Sequence, residues 1–227
     1  MRYPRSLVVV LVLLAAGCAC FAAPTQPQSD PAKHKHHRQP QNGWSVELFT
    51  GTAYNFRTPL TISQAGQPDL DFTATYHTRP FSDSPYYAWR IGKWKHGHAW
   101  ELEMIHHKVY LTNNPAEVQR FEISHGYNLL LINRADVRGG LIYHLGVGAV
   151  VAHTESTVRG ESHDTGYHFT GPAGQAAVGK RFALTEKLFA TVEGKITAAN
   201  ARVDVANGHA KAPNIALHGL VGLGYTF

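Results

Sequence analysis

From Gly43 to Phe227, segment after segment alternates apolar and polar side chains, and after Phe21 no apolar run is long enough for a transmembrane helix, which needs roughly 20 residues. A chain of this kind that enters a membrane must close into a β-barrel, because lipid offers no water to unpaired backbone groups. The first segment sets the pattern: Trp44, Val46 and Leu48 fall on one face of a strand, Ser45 and Glu47 on the other. A mean hydropathy of −0.22 agrees with this, since half of each strand would face a lumen.

The spacing predicts eight strands. After the segment at Trp44, a second region runs Asp69 to Thr78 and Tyr86 to Trp94, broken by Arg79 to Pro85, because proline cannot donate to a ladder. The others are expected over His98 to Leu111, Val118 to Asn133, Gly140 to His153, Tyr167 to Phe182, Leu188 to about Ala201, and Ile215 to Phe227. Eight is an even number, which returns the C-terminus to the same side as the start. The connections after strands two, four and six are compact, while Arg57 to Pro68 and Thr154 to Asp164 are long, the asymmetry of a barrel with short periplasmic turns and long outer loops.

Residues 1–22 have the layout of a secretory signal: Arg2 and Arg5, an apolar stretch from Ser6 to Phe21, then small residues. Cleavage is expected after Ala22; the competing reading is a lipoprotein site at Leu14-Ala15-Ala16-Gly17-Cys18. Cleavage after Ala22 removes Cys18 and Cys20, the only cysteines, and with them disulfide and thiol chemistry. Losing Arg2 and Arg5 takes the formal charge from +5 to +3. Residues 23–42, rich in Pro, Gln, His and Lys, read as a disordered tail carrying +2 of that charge. The barrel over residues 43–227 is then nearly neutral, so no nucleic-acid partner is expected despite a pI near 9.2.

With Trp44, Trp89, Ile91, Trp100, Leu102, Phe121, Ile123, Leu141, Val147, Val178, Val192 and Phe227 facing lipid, the opposite parity sends Glu47, Arg90, Glu101, Glu103, Glu122, Arg181, Glu193 and Lys195 to the lumen. Arg90 and Glu101 are expected to pair across a hairpin. In so narrow a barrel these side chains fill the interior as ion pairs. A gated pore is the sharper alternative.

Fifteen histidines are many for 227 residues. His34, His36 and His37 form a tract that could take Zn²⁺ or Cu²⁺ weakly; no metal or cofactor is expected in the folded part. A regular hairpin about Pro115 would set His106 beside His125 and His107 beside Ser124. His106, His125 and Tyr127 would face lipid, with His107, Ser124, Glu103 and Glu122 inward. The inward set offers a nucleophile, base and orienter in Ser124, His107 and Glu103 or Glu122. The plainer reading is an interfacial belt of His, Tyr and Lys.

The segment Gly219 to Phe227, with Leu223, Tyr225 and Phe227 on one face, resembles the C-terminal strand of bacterial outer-membrane barrels. The layout from Trp44 onward is similar to the small OmpA- and OmpX-like barrels. The resemblance implies an outer-membrane location, contact with outer-membrane lipid and lipopolysaccharide, and delivery by the barrel-assembly machinery through the Phe227 strand. The stretch His125-Gly126-Tyr127-Asn128 resembles the His-x-Ser-Asn motif of lipid A 3-O-deacylases, with Tyr127 where the serine belongs. A structural or surface-binding barrel is the expectation, with a deacylase-like hydrolase and a narrow pore as alternatives; a soluble lipocalin-like barrel would share the alternation. Oligomeric state is left open.

Overall fold

The computed structural model describes residues 42–227 apart from residue 83. The expected signal, and the tail up to residue 41, lie outside the described residues, and Asn42 already belongs to the first strand. In chain order the strands are β1 (Asn42–Asn55), β2 (Thr58–Gln64), β3 (Leu70–Ala74), β4 (Tyr76–His77), β5 (Tyr87–Lys95), β6 (His98–Leu111), β7 (Val118–Arg138), β8 (Leu141–Ala152), β9 (Glu155–Val158), β10 (Glu161–Asp164), β11 (His168–Ala183), β12 (Leu188–Val205) and β13 (Gly208–Thr226).

Eight of them form the wall: β1, β5, β6, β7, β8, β11, β12 and β13 pair antiparallel in that order, and β13 returns to β1 with Ser45 opposite Thr226 and Asn55 opposite Ala216. Closure leaves the wall with no free edge. At one end the wall strands are joined by tight turns. His96-Gly97 and Gly139-Gly140 both hold positive φ at their two central positions, the turn whose twist matches that of the flanking strands.

At the other end the chain departs from the sequence expectation. Leu70 to Ala74 does not join the wall; it pairs with β2, and this hairpin attaches to β13 through Gly208–Lys211. The expected loop from Thr154 to Asp164 is also a hairpin, β9–β10, which prolongs the wall by pairing with β7. β7, β12 and β13 run 21, 18 and 19 residues, against the 9–11 that cross a bilayer at a tilt. The surplus stands above the membrane, and the added hairpins close over it.

Along the wall the parity of each strand separates two environments. Leu48, Ile132, Leu145, Val147, Val192, Val221 and Leu223 point outward, with Leu145 and Val147 more than two-thirds exposed. A continuous apolar belt of this kind is far larger than a soluble monomer exposes. An aromatic girdle borders the belt at each end. Trp44, Trp100, Tyr143, Phe182 and Tyr225 lie toward the tight turns; Tyr54, Phe56, Tyr87, Tyr167 and Phe169 lie toward the hairpins. At the turn end Lys93, Arg134, Lys180 and Lys187 lie over the rings of Trp44, Trp100, Phe182 and Tyr225, keeping their stems on apolar surface and their charge at the headgroup level. Among the described residues no helix is long and apolar enough to cross a membrane.

Above the belt the polarity inverts. Leu60, Ile62, Phe121, Ile123, Val158, Val203 and Val205 are buried in one apolar cluster inside the extension. Phe121 and Ile123, expected to face lipid, therefore face inward.

Candidate functional site

Two polar constellations are built on this wall, one inside and one outside. The inner one centres on Arg90, whose guanidinium lies 2.8 Å from Glu193, 3.1 Å from Glu103 and 3.6 Å from both Glu47 and Glu101. Lys195 bonds Glu103 and lies 3.2 Å from Glu193. Arg181 holds Glu47 at 2.8 Å, with its guanidinium against the rings of Trp94 and Phe189. His144 bridges Glu101 at 2.8 Å and Glu193 at 3.4 Å. Four carboxylates thus meet Arg90, Arg181, Lys195 and, when protonated, His144. Asn133 and Gln175 donate to Glu103 at 2.7 and 2.6 Å. Gly146 makes room for this, since a Cβ there would fall 1.9 Å from the Asn133 amide oxygen. Every charged side chain has opposite charge and at least one hydrogen bond beside it, which offsets much of the cost of burial, while one oxygen each of Glu101 and Glu193 has no hydrogen-bond partner.

Of the residues expected inward, Glu47, Arg90, Glu101, Glu103, Arg181, Glu193 and Lys195 all meet in this network. Arg90 faces Glu103 across the ladder rather than Glu101, because the two-residue turn pairs Lys95 with His98 and sets the register two residues along. Glu122 is not a member; it lies near the outer rim, where Arg120 reaches it at 2.6 Å.

The expected hairpin register between β6 and β7 is also revised. His106 faces Asn128 and His107 faces Tyr127, and a bulge follows before Val109 faces Ile123. Ser124, His107 and Glu103 are consequently not brought together. His107 turns inward and meets Asn55 at 2.9 Å; Ser124 donates to Glu122 at 3.1 Å; Glu103 belongs to the ion network. Tyr127, expected outward, is buried inside with its hydroxyl on the Ala212 carbonyl at 3.0 Å.

The outer constellation sits at the girdle nearest the hairpins. Asn128 and His106 point outward and bond through Nδ1 at 2.8 Å, with the Tyr87 ring stacked on the imidazole at 4.9 Å. Nε2 of His106 has no hydrogen-bond partner. Gly126 makes the local shape possible: its φ is +135°, and a Cβ there would lie 2.3 Å from the Asn128 amide. His125 meets Glu155 at 2.6 Å and stacks on His153. Between these groups runs an open groove of about 370 Å³, lined by Ser84, Tyr87, Met104, His106, His125, Asn128, Leu130, Val151 and Tyr167. Its polar members lie at the rim and its apolar ones, Met104, Leu130 and Val151, belong to the outward face of the wall.

The sequence reading missed His144, Asn133 and Gln175 inside and His153, Glu155 and Tyr167 outside. Parity along β8 is a signal that could have found His144. No spacing motif joins His125 to His153, because the hairpin that brings them together was read as a loop.

The closed ring, outward belt, double girdle and charged interior define the chain as a small transmembrane β-barrel of the bacterial outer-membrane type. No family model matches the sequence and no curated relative matches it. Among solved structures it is similar to the outer membrane protein AlkL (12% identity, TM-score 0.44, covering 92% of this chain and 97% of that one). It is likewise similar to the outer membrane protein OprG of Pseudomonas aeruginosa (12%, 0.42, 82% and 97%) and to Ail, the attachment invasion locus protein of Yersinia pestis (10%, 0.42, 82% and 99%). None of these lends its activity to this chain.

Proposed function

We propose that this barrel binds the headgroup of a hydroxyl-bearing outer-leaflet lipid, lipopolysaccharide being the type, in the groove around His106. The carrying observation is the unpaired Nε2 of His106 in the wall of the groove, an atom that the surrounding side chains cover and that a ligand reaches by displacing them. With Nδ1–H donated to Asn128, Nε2 keeps its lone pair and calls for a hydroxyl donor; an unpaired imidazole at this depth is otherwise costly. Polar rim above and apolar wall below suit a headgroup continued by acyl chains. The interior ion network supports a structural role for the lumen rather than conduction, since Arg90, Glu103, Glu193 and Lys195 are all buried. The outward Leu223, Tyr225 and Phe227 support delivery through the assembly machinery to the outer membrane.

A deacylase-like reading has one observation in its favour, the His125–Glu155 pair. It lacks a nucleophile in position: Tyr127 turns inward, and Ser124 approaches, at 3.5 Å, the same Nδ1 that Glu155 engages, whereas a triad needs one ring nitrogen for each partner. The test is lipid carried through purification into nanodiscs made with lipopolysaccharide, read by native mass spectrometry. Wild type should retain it, while His106→Ala and Asn128→Ala retain roughly tenfold less, the scale of one lost hydrogen bond to a buried group. Equal retention by all three would overturn the reading, and lipopolysaccharide shortened by an acyl chain only with wild type would establish the hydrolase instead.

A further inference from the structure

Beside the groove, the β9–β10 hairpin assembles a set of ligand atoms. β7 supplies His125, the chain just before β9 supplies His153, and β9 supplies Glu155. One donor atom from each lies within 4.8 Å of the others. Two of the three have their spare atoms already engaged. Glu155 Oε2 is held by Arg120 at 2.6 Å, which presents Oε1. His153 Nε2 is bonded to Asp164 at 2.6 Å, which leaves Nδ1. The Tyr167 hydroxyl donates to the His125 carbonyl at 2.8 Å, and its ring stands edge-on to His153 at 5.2 Å.

We propose that His125, His153 and Glu155 bind a late first-row divalent metal ion, Zn²⁺ above all, at the outer rim of the barrel, with Asp164 as the carboxylate that orients His153. Two imidazoles and one carboxylate suit Zn²⁺, Cu²⁺ or Ni²⁺ rather than Mg²⁺ or Ca²⁺. A metal-binding histidine that gives its other N–H to a carboxylate is the usual outer arrangement, and His153–Asp164 supplies it. Three protein ligands leave a coordination position open to solvent or to an incoming ligand. His125 is about half exposed, so an ion has a path in. The ion takes the place of the direct His125–Glu155 contact at 2.6 Å. Arg120, shared between Glu122 and Glu155, offsets part of the carboxylate charge and moderates affinity. The proposal stands whether or not a lipid occupies the groove, since of the three ligands only His125 lines it.

The test uses the full chain folded in detergent micelles with His34, His36 and His37 replaced by alanine, so that the N-terminal tract does not contribute. Zn²⁺ is titrated against a chromophoric chelator, and Co²⁺ is added as a spectroscopic probe. One equivalent of Zn²⁺ and a visible Co²⁺ band are expected, both lost in His125→Ala and in His153→Ala, with affinity lowered about tenfold or more in Asp164→Asn. Each variant is first checked for the folded band by unheated electrophoresis. Failure of the tail-silenced chain to take up Zn²⁺ at micromolar concentration, or undiminished uptake by folded His125→Ala and His153→Ala, would overturn the site. Lipid retention by the same variants is read separately, so the two readings fail independently.

Discussion

Arg90 and Gly126 are the positions where a single change reaches furthest. Among the described residues, Arg90 is the one group in contact with Glu47, Glu101, Glu103 and Glu193 together. Arg90→Met leaves those charges short of a partner in a buried setting, a loss of about 3–5 kcal/mol. We expect a lower urea midpoint for loss of the folded band, with much of the loss recovered when Glu193→Gln is added; an unchanged midpoint in the single variant would show that the network is hydrated. Gly126→Ala acts on the other face. The φ of +135° is strained for any L side chain, and the new methyl displaces the Asn128 amide from His106. Expected are lipid retention reduced to the level of Asn128→Ala and an intact barrel, since the displaced atoms are the end of a side chain. At the turn end, outside the spanning segments, a hydrogen bond from His98 and the nearby Arg134 hold the Asp136 carboxyl below its ordinary value. A lowered carboxylate pKa contributes stability that is present above the unfolded value near 3.8 and is lost as pH falls through the folded one. The pair is solvated, so its contribution is at most about 1 kcal/mol; Asp136→Asn should lower the unfolding midpoint slightly at neutral pH and match the wild type well below pH 3.8, which flattens the acid limb.

At the scale of elements, the molecule has two regions held by different physics. Within the belt, strand pairing and the ion network hold the wall. Above it, the β2–β3 and β9–β10 hairpins are held by burial of Leu60, Ile62, Val158, Phe121 and their neighbours. Ile62→Ala, at a fully buried position, should cost about 2–5 kcal/mol, confined to the extension. Limited proteolysis is expected to cut the variant around β2–β3 while the barrel still migrates as a folded band. Loss of the folded band along with the extension would show that the two regions unfold as one. The element boundaries explain why sequence saw one region better than the other. His98 to Leu111 was legible to the residue because alternation and a tight turn coincide there. Leu70 to Ala74 alternates equally well, yet alternation does not say which partner a strand will choose. Arg79 to Pro85 separated it from the wall.

For the whole molecule, the decisive property is the outward belt. In lipid it is solvated by acyl chains, and the closed wall leaves no backbone group unpaired at that depth. The unheated protein is expected to migrate differently from the heated one in electrophoresis, and the fluorescence of the girdle tryptophans Trp44 and Trp100 should be quenched by brominated lipids. A chain that shows neither, and partitions with soluble protein, would place the exposed apolar face at a protein interface instead.

Parity within each strand belonged to the sequence, because a period of two is a local property of the backbone. It predicted eight wall strands, the lipid face apart from Phe121, Ile123 and Tyr127, and seven of the eight charges placed in the lumen. Register and the use of the long connections belonged to the tertiary structure. A bulge after His107, a positive φ at Gly126 and a turn two residues long shift which side chains meet without changing the alternation. The meeting of His125, His153 and Glu155 depends on the β9–β10 hairpin choosing β7 as its partner. That choice is made by apolar burial between segments distant in sequence, on which local pattern is silent.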